Sequence, residues 1–515
     1  MAGGRANKLI PSLTDIVGLL VGLAFLLVVP SLSGDPGAGW HLRAGSLISE
    51  NSSGLIGAGI TEDSFLHPGT ARSWVNNQWL SDLFLFNIQD NLGWSGLNSL
   101  VAVCVFLIYF IIVLGSFRRL TISPLISAGI LFLCLFMGAV QWIVRPVLFS
   151  FLFFAIVCHL LVLEKRGRIS KKKLLFLPLV FSLWCNLHPA FILGIALLVL
   201  AIASCVASRL LEGKALKDSA SSTYFIVLIL SVLATFLNPF GLGLWQNIFG
   251  LAGSDFFMNL NTEWLSPDFH LFYFLFFLIS FLLGVSLLVS GYGKELNFFE
   301  CGLLLVFSTA SLMQRRYIPF YSIACAVPLA LMVQNWWAVR REKSSALARA
   351  FQSIEQKNVL RSSIRWTSLC FLSVLIVHNF FASDTRFAPE MLPKKILAVL
   401  KAEPVRARIF HSPDFGGAFA FQLWPQQFAS IDDRNQLNGQ QAYIDFLDII
   451  QAAAGWEAKL QAGNYDWLLI DKGSPFFKLI SQVSVQKRIG FRASVGEGSQ
   501  QLFEEFSNWE DDYGG

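Results

Sequence analysis

The stretch LFYFLFFLISFLLGVSLLVS, residues 271–290, decides the fold class. It carries no charge, and about 20 mostly apolar residues are what an α-helix needs to cross the hydrocarbon core of a membrane. The rest of the chain follows this example, because 54% of its 515 residues are hydrophobic and only 14% are charged. Soluble domains carry about 25% charged residues. The composition excludes a disordered chain, a fibrous protein and a cytosolic globule, and it predicts an α-helical polytopic membrane protein.

Apolar runs of this kind recur up to about residue 382, and we interpret them as about 11 transmembrane helices. The run at 174–187 is short, so this run and the next one form either two spans or one long helix broken near His188. The predicted spans are 16–33, 95–115, 122–140, 147–163, 174–187, 190–208, 222–238, 271–290, 297–313, 317–335 and 366–382.

Lys and Arg are distributed very unequally between the two sides of these spans. If the N-terminus is cytoplasmic, the loops on its side hold 21 basic residues, and the opposite loops before residue 383 hold five. An excess of Lys and Arg marks cytoplasmic loops. We therefore predict a multi-pass protein of the plasma (inner) membrane with its N-terminus in the cytoplasm. The five basic residues on the outer side are Arg43, Arg72, Arg145, Arg315 and Arg316.

The composition changes near residue 382 and divides the chain into two predicted domains. Residues 1–382 form a transmembrane domain with a large first outer loop at 34–94. Residues 383–515 have the composition of a water-soluble domain, and an odd number of spans places it outside, in a periplasm or equivalent lumen. Short apolar runs that alternate with turns predict an α/β domain here. Its predicted strands are 408–410, 428–431, 467–470 and 500–503, and its predicted helices are 443–453 and 455–463.

Some kinds of partner are excluded or not indicated. The net charge is only +5 and no basic tract of the kind that nucleic-acid binding needs is present, which excludes nucleic acid as a partner. All eight Cys lie within or beside apolar runs, where Cys acts as a small hydrophobic residue. No disulfide or metal-binding cysteine pattern is present. We predict no cofactor, and no carboxylate cluster demands a metal, although a divalent metal remains compatible with the chain.

The predicted outer loops bring several ionisable residues to one membrane face. A carboxylate there can act as a general base toward a hydroxyl, and arginines bind phosphate through paired hydrogen bonds. An apolar bundle beside them can hold a lipid tail, so the set fits group transfer from a lipid phosphate. Each residue also has a plainer interpretation: arginines at the interface or paired with a carboxylate, an aromatic belt, and a packed turn histidine at His188. The candidates are Asp35, His41, Arg43, Asp63, Arg145, His188, Glu263, Trp264, Arg315 and Arg316.

Short motifs along most of the chain are similar to those of a known family. They are GDPGAGWHLRAG, TEDSF and SWVNNQWLSDLF in the first outer loop, then RPVLFSFL, LWCNLHPAFILG, LNPFG, TEW and RRYIPF, and finally DFGGAFAFQLWP and FASIDDRNQ in the C-terminal region. Together they resemble an uncharacterised bacterial branch of the membrane glycosyltransferases of the GT-C fold. This group relates broadly to the protein mannosyltransferases and the lipid A aminoarabinose transferase.

The resemblance implies a transferase that uses a sugar linked to polyprenyl phosphate. An acidic residue early in the first outer loop would be the catalytic base, which places Asp35 first and Asp63 second. Several characterised members carry an adjacent acidic pair here, whereas Asp35 is followed by Pro36. Arg145, Arg315 and Arg316 would bind the donor phosphate. The predicted substrate-binding side chains are His41, Arg43, His188, Glu263 and Trp264.

The leading hypothesis is therefore an integral-membrane glycosyltransferase that acts with inversion on the outer side. Its partners would be a polyprenyl-phosphate-linked sugar, membrane lipid, and a glycan, lipid or protein acceptor. A transporter or flippase of a lipid-linked or polar solute is a second hypothesis, and a non-catalytic assembly protein with the same fold is a third. In the outer domain, Ile431–Arg434 is either a buried salt-bridged turn, which we favour, or part of an acceptor-glycan site.

Overall fold

The computed structural model describes residues 35–50, 57, 59–67, 72–213, 219–341, 394–402, 407–471 and 473–483. These residues fall into two compact units. The first unit contains the described residues from 35 to 64 and from 72 to 341. The second contains residues 65–67 and everything described from residue 394 onward. The predicted domain boundary at 382–383 lies outside the described residues, as do the predicted spans 16–33 and 366–382.

Helices make up most of the first unit. A short antiparallel pair, β1 (Glu62–Asp63) and β2 (Arg72–Ser73), lies in the first loop. A π-helical stretch, Leu107–Val113, connects α2 to α3. In chain order the α-helices are α1 (Ala38–Glu50), α2 (Trp79–Phe106), α3 (Leu114–Arg119), α4 (Pro124–Gly138), α5 (Val147–Lys165), α6 (Leu177–Leu187), α7 (Phe191–Leu211), α8 (Ser219–Ala234), α9 (Leu242–Ala252), α10 (Asp255–Leu260), α11 (Phe272–Val289), α12 (Phe298–Met313), α13 (Ile318–Ala324) and α14 (Ala326–Arg341).

Within the described residues, five helical segments are long and apolar enough to cross a membrane. A sixth is added if α13 and α14, which meet at a bend of 56°, form one broken span. Every predicted run that lies within the described residues coincides with a helix, but α6, α8 and α12 are shorter than a full span. The prediction of a helical membrane protein agrees with this structure, whereas the count of eleven spans stays a prediction. The five segments are Trp79–Arg119, Pro124–Gln141, Val147–Lys165, Phe191–Leu211 and Phe272–Val289.

Glycines shape the start of the first unit. Gly93 interrupts α2 with φ 63° and ψ −163°, which separates the amphipathic segment that begins at Trp79 from the apolar span that follows. Helix α1 packs against the start of α2 so closely that a Cβ on Gly45 would lie 2.2 Å from the carbonyl oxygen of Asp82. Only glycine allows this approach. Most residues of α1 are buried, so this helix belongs to the packed bundle rather than to one exposed surface.

The interior of the first unit is built from aromatic side chains with a few polar contacts. The Trp142 indole contacts Tyr109 and Phe151 edge to face, an arrangement that adds to the gain from burying large rings. The Tyr109 hydroxyl is hydrogen-bonded to Ser322 of α13 at 2.6 Å. The π-helical stretch Leu107–Val113, the end of α4, and helices α5 and α13 therefore meet around these residues, and α13 lies inside the bundle.

The end of the first unit that includes the C-terminus of α5 is closed by ionic contacts. Arg166 forms two hydrogen bonds with Glu300, at 2.7 and 2.5 Å, and the Glu300 side chain is buried. Asn297 and Glu300 also form a reciprocal cap at the start of α12. Lys165 lies over the ring of Tyr224, whose hydroxyl donates to Glu164. The basic run that begins at Lys165 is thus partly neutralised where it enters the bundle.

Outward-facing positions of several helices are apolar. The exposed side chains of α8 and α11 include Phe225, Leu233, Leu282 and Val289. An apolar surface of this extent is unfavourable in water but suits contact with lipid tails. It therefore agrees with a membrane location for these helices.

The second unit combines short parallel strands with helices. The strands β3 (Ile409–Phe410) and β4 (Trp467–Leu468) pair in parallel, and isolated parallel bridges join Arg408 to Phe428 and Leu66 to Ala429. The predicted strands at 408–410, 428–431 and 467–470 agree with these pairings, whereas 500–503 lies outside the described residues. The predicted helices at 443–453 and 455–463 agree with two of the observed ones. The helices are α15 (Lys394–Ala402), α16 (Gly416–Ala418), α17 (Asn435–Ile450), α18 (Trp456–Gly463) and α19 (Pro475–Val483).

The IDDR turn of the second unit is a buried salt-bridged turn, as favoured from the sequence. Arg434 donates to Asp432 through Nε and Nη2, at 2.7 and 2.5 Å, and both side chains are buried. The guanidinium also lies 4.4 Å from the ring centre of Phe65. A Cβ on Gly416 would lie 2.3 Å from the Cβ of Asp432, which explains the first glycine of the DFGG motif. This turn is therefore structural.

Candidate functional site

Asp35, Arg145 and Glu263 form a continuous chain of ion pairs. Nη2 of Arg145 lies 2.5 Å from Oδ1 of Asp35, and its Nη1 lies 2.5 Å from Oε1 of Glu263. The three residues come from the start of α1, the turn before α5 and the short 3-10 helix Thr262–Trp264. Loops far apart in the sequence therefore meet at one end of the bundle.

Asp35 is the most buried member of this chain, with 1% of its surface exposed. Its Oδ1 accepts the backbone N–H of Gly37 at 3.2 Å in addition to the Arg145 contact. Its Oδ2 is also buried and has no hydrogen-bond partner within the part of the chain that the structure describes. A buried carboxylate oxygen without a donor is uncommon and has a specific cause in native proteins. This oxygen is free to accept a hydrogen bond from a bound hydroxyl or water.

The other two predicted phosphate-binding arginines lie beside Glu263. The Arg315 guanidinium donates to the hydroxyl of Thr262 at 2.7 Å. The Arg316 guanidinium lies 5.0 Å from the ring centre of Trp264, a cation–π contact. Each residue of the Thr262–Trp264 turn therefore contacts a different arginine, and three guanidinium groups meet around one short turn.

His188 ends α6 beside the same arginines and is packed into the turn. The Trp184 indole donates to Ser150 Oγ at 2.7 Å, and Ser150 Oγ is 2.9 Å from His188 Nδ1. The Ala190 N–H also donates to Nδ1, so Nδ1 accepts and the neutral ring carries its proton on Nε2. Burial, reinforced by the positive charge of Arg316, of His41 when protonated and of Arg145, holds the pKa of His188 well below its usual 6.5. His188 is therefore neutral at pH 7.

His41 is held by a carboxylate of α2. Its Nδ1 lies 2.6 Å from Oδ1 of Asp82, while Nδ2 of Asn76 donates to Oδ2 of Asp82 at 2.7 Å. Both oxygens of this fully buried carboxylate are thus used. Because a carboxylate only accepts, His41 carries a proton on Nδ1 and its Nε2 is the nitrogen left for other contacts. This pair lies close enough to His188 for a charge on His41 to affect the pKa of His188.

Two further predicted site residues lie in the first loop. Asp63 is fully buried in β1, where it pairs in register with Arg72 of β2. Arg43 lies in the middle of α1 and is partly buried, which lowers its pKa, an effect that Glu50 opposes.

Several residues that matter for this geometry were not singled out from the sequence. Asp82 and Ser150 fix the two histidines, and Asn186 accepts from the Trp79 indole at 2.9 Å while donating to the carbonyl of Leu237 at 2.8 Å. One feature of the sequence could have identified Asp82: it is a charged residue on the apolar side of an amphipathic segment. No group of His, Cys, Asp and Glu within the described ranges has a metal-binding arrangement.

Comparison with known proteins adds no assignment. No protein-family model matches this chain, and no curated protein is significantly similar to it. The resemblance to the GT-C glycosyltransferases therefore stays a prediction that rests on short motifs. What the fold and the site define is a helical membrane protein with an acidic and basic cluster at one end of its bundle.

Proposed function

We propose that this protein is an integral-membrane glycosyltransferase that moves a sugar from a polyprenyl-phosphate donor to an acceptor on the extracytoplasmic side. The observation that carries the proposal is the contact of buried Asp35 with Arg145, next to Arg315 and Arg316. Such a cluster combines an acceptor for a hydroxyl proton with donors for a phosphate, as transfer from a lipid phosphate requires.

In the proposed reaction, Oδ2 of Asp35 accepts the proton of the acceptor hydroxyl. The acceptor oxygen forms a bond to the anomeric carbon, and the bond from that carbon to the phosphate oxygen breaks with inversion. The electron pair leaves with the polyprenyl phosphate, whose charge Arg145, Arg315 and Arg316 stabilise. Asp63 remains the second candidate for the base. His41, Arg43, His188, Glu263 and Trp264 would contact the sugar or the phosphate.

The proposal includes the topology expected from the charge distribution. About eleven spans in the plasma membrane, with a cytoplasmic N-terminus, would place the site and the second unit on the outer side. The turns that carry the cluster all lie at the end of the bundle opposite to the Lys165 region. The test introduces a cysteine with Asp268→Cys and treats intact cells with a thiol reagent that does not cross the membrane. We expect this cysteine to be labelled only when the reagent is added from outside.

The decisive test uses the full chain in nanodiscs with a panel of polyprenyl-phosphate sugars and candidate acceptors. Release of polyprenyl phosphate is measured for the wild type and for Asp35→Asn, which keeps the size of the side chain but removes the base. We expect release with at least one donor and loss of it in D35N. Asp268→Asn, an exposed change in the same region, is the matched control and retains activity. Full activity of D35N would reject Asp35 as the base.

A transporter or flippase is the second candidate, favoured by the broken span. The bend of 56° between α13 and α14 lies near buried polar contacts inside the bundle, such as Ser280 with Tyr321 at 3.2 Å. Broken helices with internal polar groups are common in transporters. Proteoliposomes that translocate a labelled polyprenyl phosphate without cleaving any donor would favour this function. Donor binding with neither cleavage nor translocation would favour a non-catalytic assembly protein.

A further inference from the structure

The turn Thr262–Trp264 is matched residue by residue with three arginines. Thr262 accepts from Arg315, Glu263 pairs with Arg145, and Trp264 lies under Arg316. Glu263 is the only acidic residue of the three, and it lies between the other two contacts along the chain. Its carboxylate pairs with Arg145 and is flanked in the chain by the residues that contact Arg315 and Arg316.

The two carboxylates on Arg145 differ sharply in how they are held. The Asp35 side chain is 1% exposed and also bonded to the Gly37 N–H, whereas the Glu263 side chain is 37% exposed. They use different nitrogens of the guanidinium, so Glu263 can leave while Asp35 stays. An ion pair this exposed contributes little to stability, and another anion can replace it.

We propose that the Glu263 carboxylate is a placeholder for phosphate, which a phosphate group displaces from Arg145 when it binds. This inference takes its substrate class from the proposed function. It adds that Glu263 holds the Arg145 guanidinium in place while no phosphate is bound. The three arginines around the turn and the two carboxylates on Arg145 together carry an excess of one positive charge in the observed state. When Glu263 swings away, the excess is two, which matches a phosphate monoester dianion.

The arrangement explains why an acidic residue lies among phosphate-binding arginines. The three arginines contact one short turn and carry like charges, so removing an anion from this turn increases the repulsion between them. Glu263 compensates this repulsion and holds Arg145 in the orientation that a phosphate needs. The Glu263 carboxylate and a phosphate therefore compete for Arg145, because a phosphate must displace the carboxylate before it can bind.

The test measures phosphate binding to Glu263→Gln, which keeps the side-chain shape and removes the charge. Full-length wild type, E263Q and D268N are placed in neutral phosphatidylcholine nanodiscs and titrated with undecaprenyl phosphate and, separately, with inorganic phosphate. We expect E263Q to bind undecaprenyl phosphate roughly two- to fivefold more tightly, the range over which an exposed ion pair competes. D268N removes a nearby carboxylate that pairs with His270 instead, and its affinity should equal that of the wild type.

The outcomes separate this inference from the proposed function. Tighter binding of both probes in E263Q supports a placeholder for phosphate in general, and tighter binding of the lipid probe alone supports one for a lipid headgroup. Tighter binding without any sugar transfer keeps the placeholder and rejects the transferase. If the wild type transfers sugar but E263Q binds the probes no more tightly than the wild type, only the placeholder is rejected. The same conclusion follows if D268N gains as much affinity as E263Q. If neither probe binds to the wild type or to any variant, both the placeholder and the transferase are rejected.

Discussion

The ion pair between Asp35 and Arg145 should be thermodynamically coupled. Removing Arg145 with Arg145→Met leaves the buried Asp35 carboxylate without its cation. Removing one partner of a buried pair costs about 3–5 kcal/mol, because the remaining charge stays in a medium of low dielectric constant. Asp35 is 1% exposed and the Arg145 side chain 25%, so the lower part of this range, about 3 kcal/mol, is expected for R145M. The double variant D35N/R145M removes both charges and should be more stable than R145M alone.

The measurement is a double-mutant cycle in the free energy of unfolding, from denaturant titrations of purified protein in one detergent. We expect a coupling energy of about 2 kcal/mol, within the range for contacting residues. The more exposed pair of Lys459 and Asp448 in the second unit is the matched control, and its coupling should be clearly weaker. Additive effects of D35N and R145M would contradict the pairing on which both the site and the proposed function depend.

Two further predictions concern pH and the second unit. Because the pKa of His188 is below its unfolded value, the unfolded state binds a proton that the folded state does not, so stability falls as the pH drops below about 6.5. His188→Gln should therefore lose less stability than the wild type between pH 7 and pH 5, measured by thermal unfolding; equal losses would contradict the assigned environment. Leu66 is fully buried in the core of the second unit, so Leu66→Ala should destabilise that unit by about 2–5 kcal/mol and speed its proteolysis. Leu92→Ala, at a position 67% exposed, should leave the proteolysis rate unchanged, and an equal rate for both variants would refute the prediction.

The helices were predictable because their signal is local. A run such as 271–290 must bury its backbone polar groups in a helix wherever it contacts lipid, so composition alone predicts α11. The strands near 408 and 467 were also predictable from a local signal, because each is a short apolar run bounded by turns. The short run at 174–187 agrees with the short helix α6, whereas the bend that divides the run at 317–335 into α13 and α14 was not predictable from composition.

The contacts of the site were only partly predictable. Sorting charges by side selected Asp35, Arg145 and Glu263 but gave no reason why these three should touch. The role of Asp82 was missed, because a carboxylate in the first turn of a helix is common and its partner, His41, lies on another helix. The placement of residues 65–67 in the second unit was missed too, since a loop segment carries no signal for the sheet it joins.

The sequence by itself determined that this is a helical membrane protein with few outer charges, because hydrophobic length and charge count are properties of single segments. Tertiary structure alone decided which of those charges meet. It buried Asp35 against Arg145, left Glu263 partly exposed on the same guanidinium, and kept His188 neutral by burying it near Arg316 and Arg145. The physical reason is that ion pairing and desolvation act over a few ångströms in space, and those distances depend on how the helices pack.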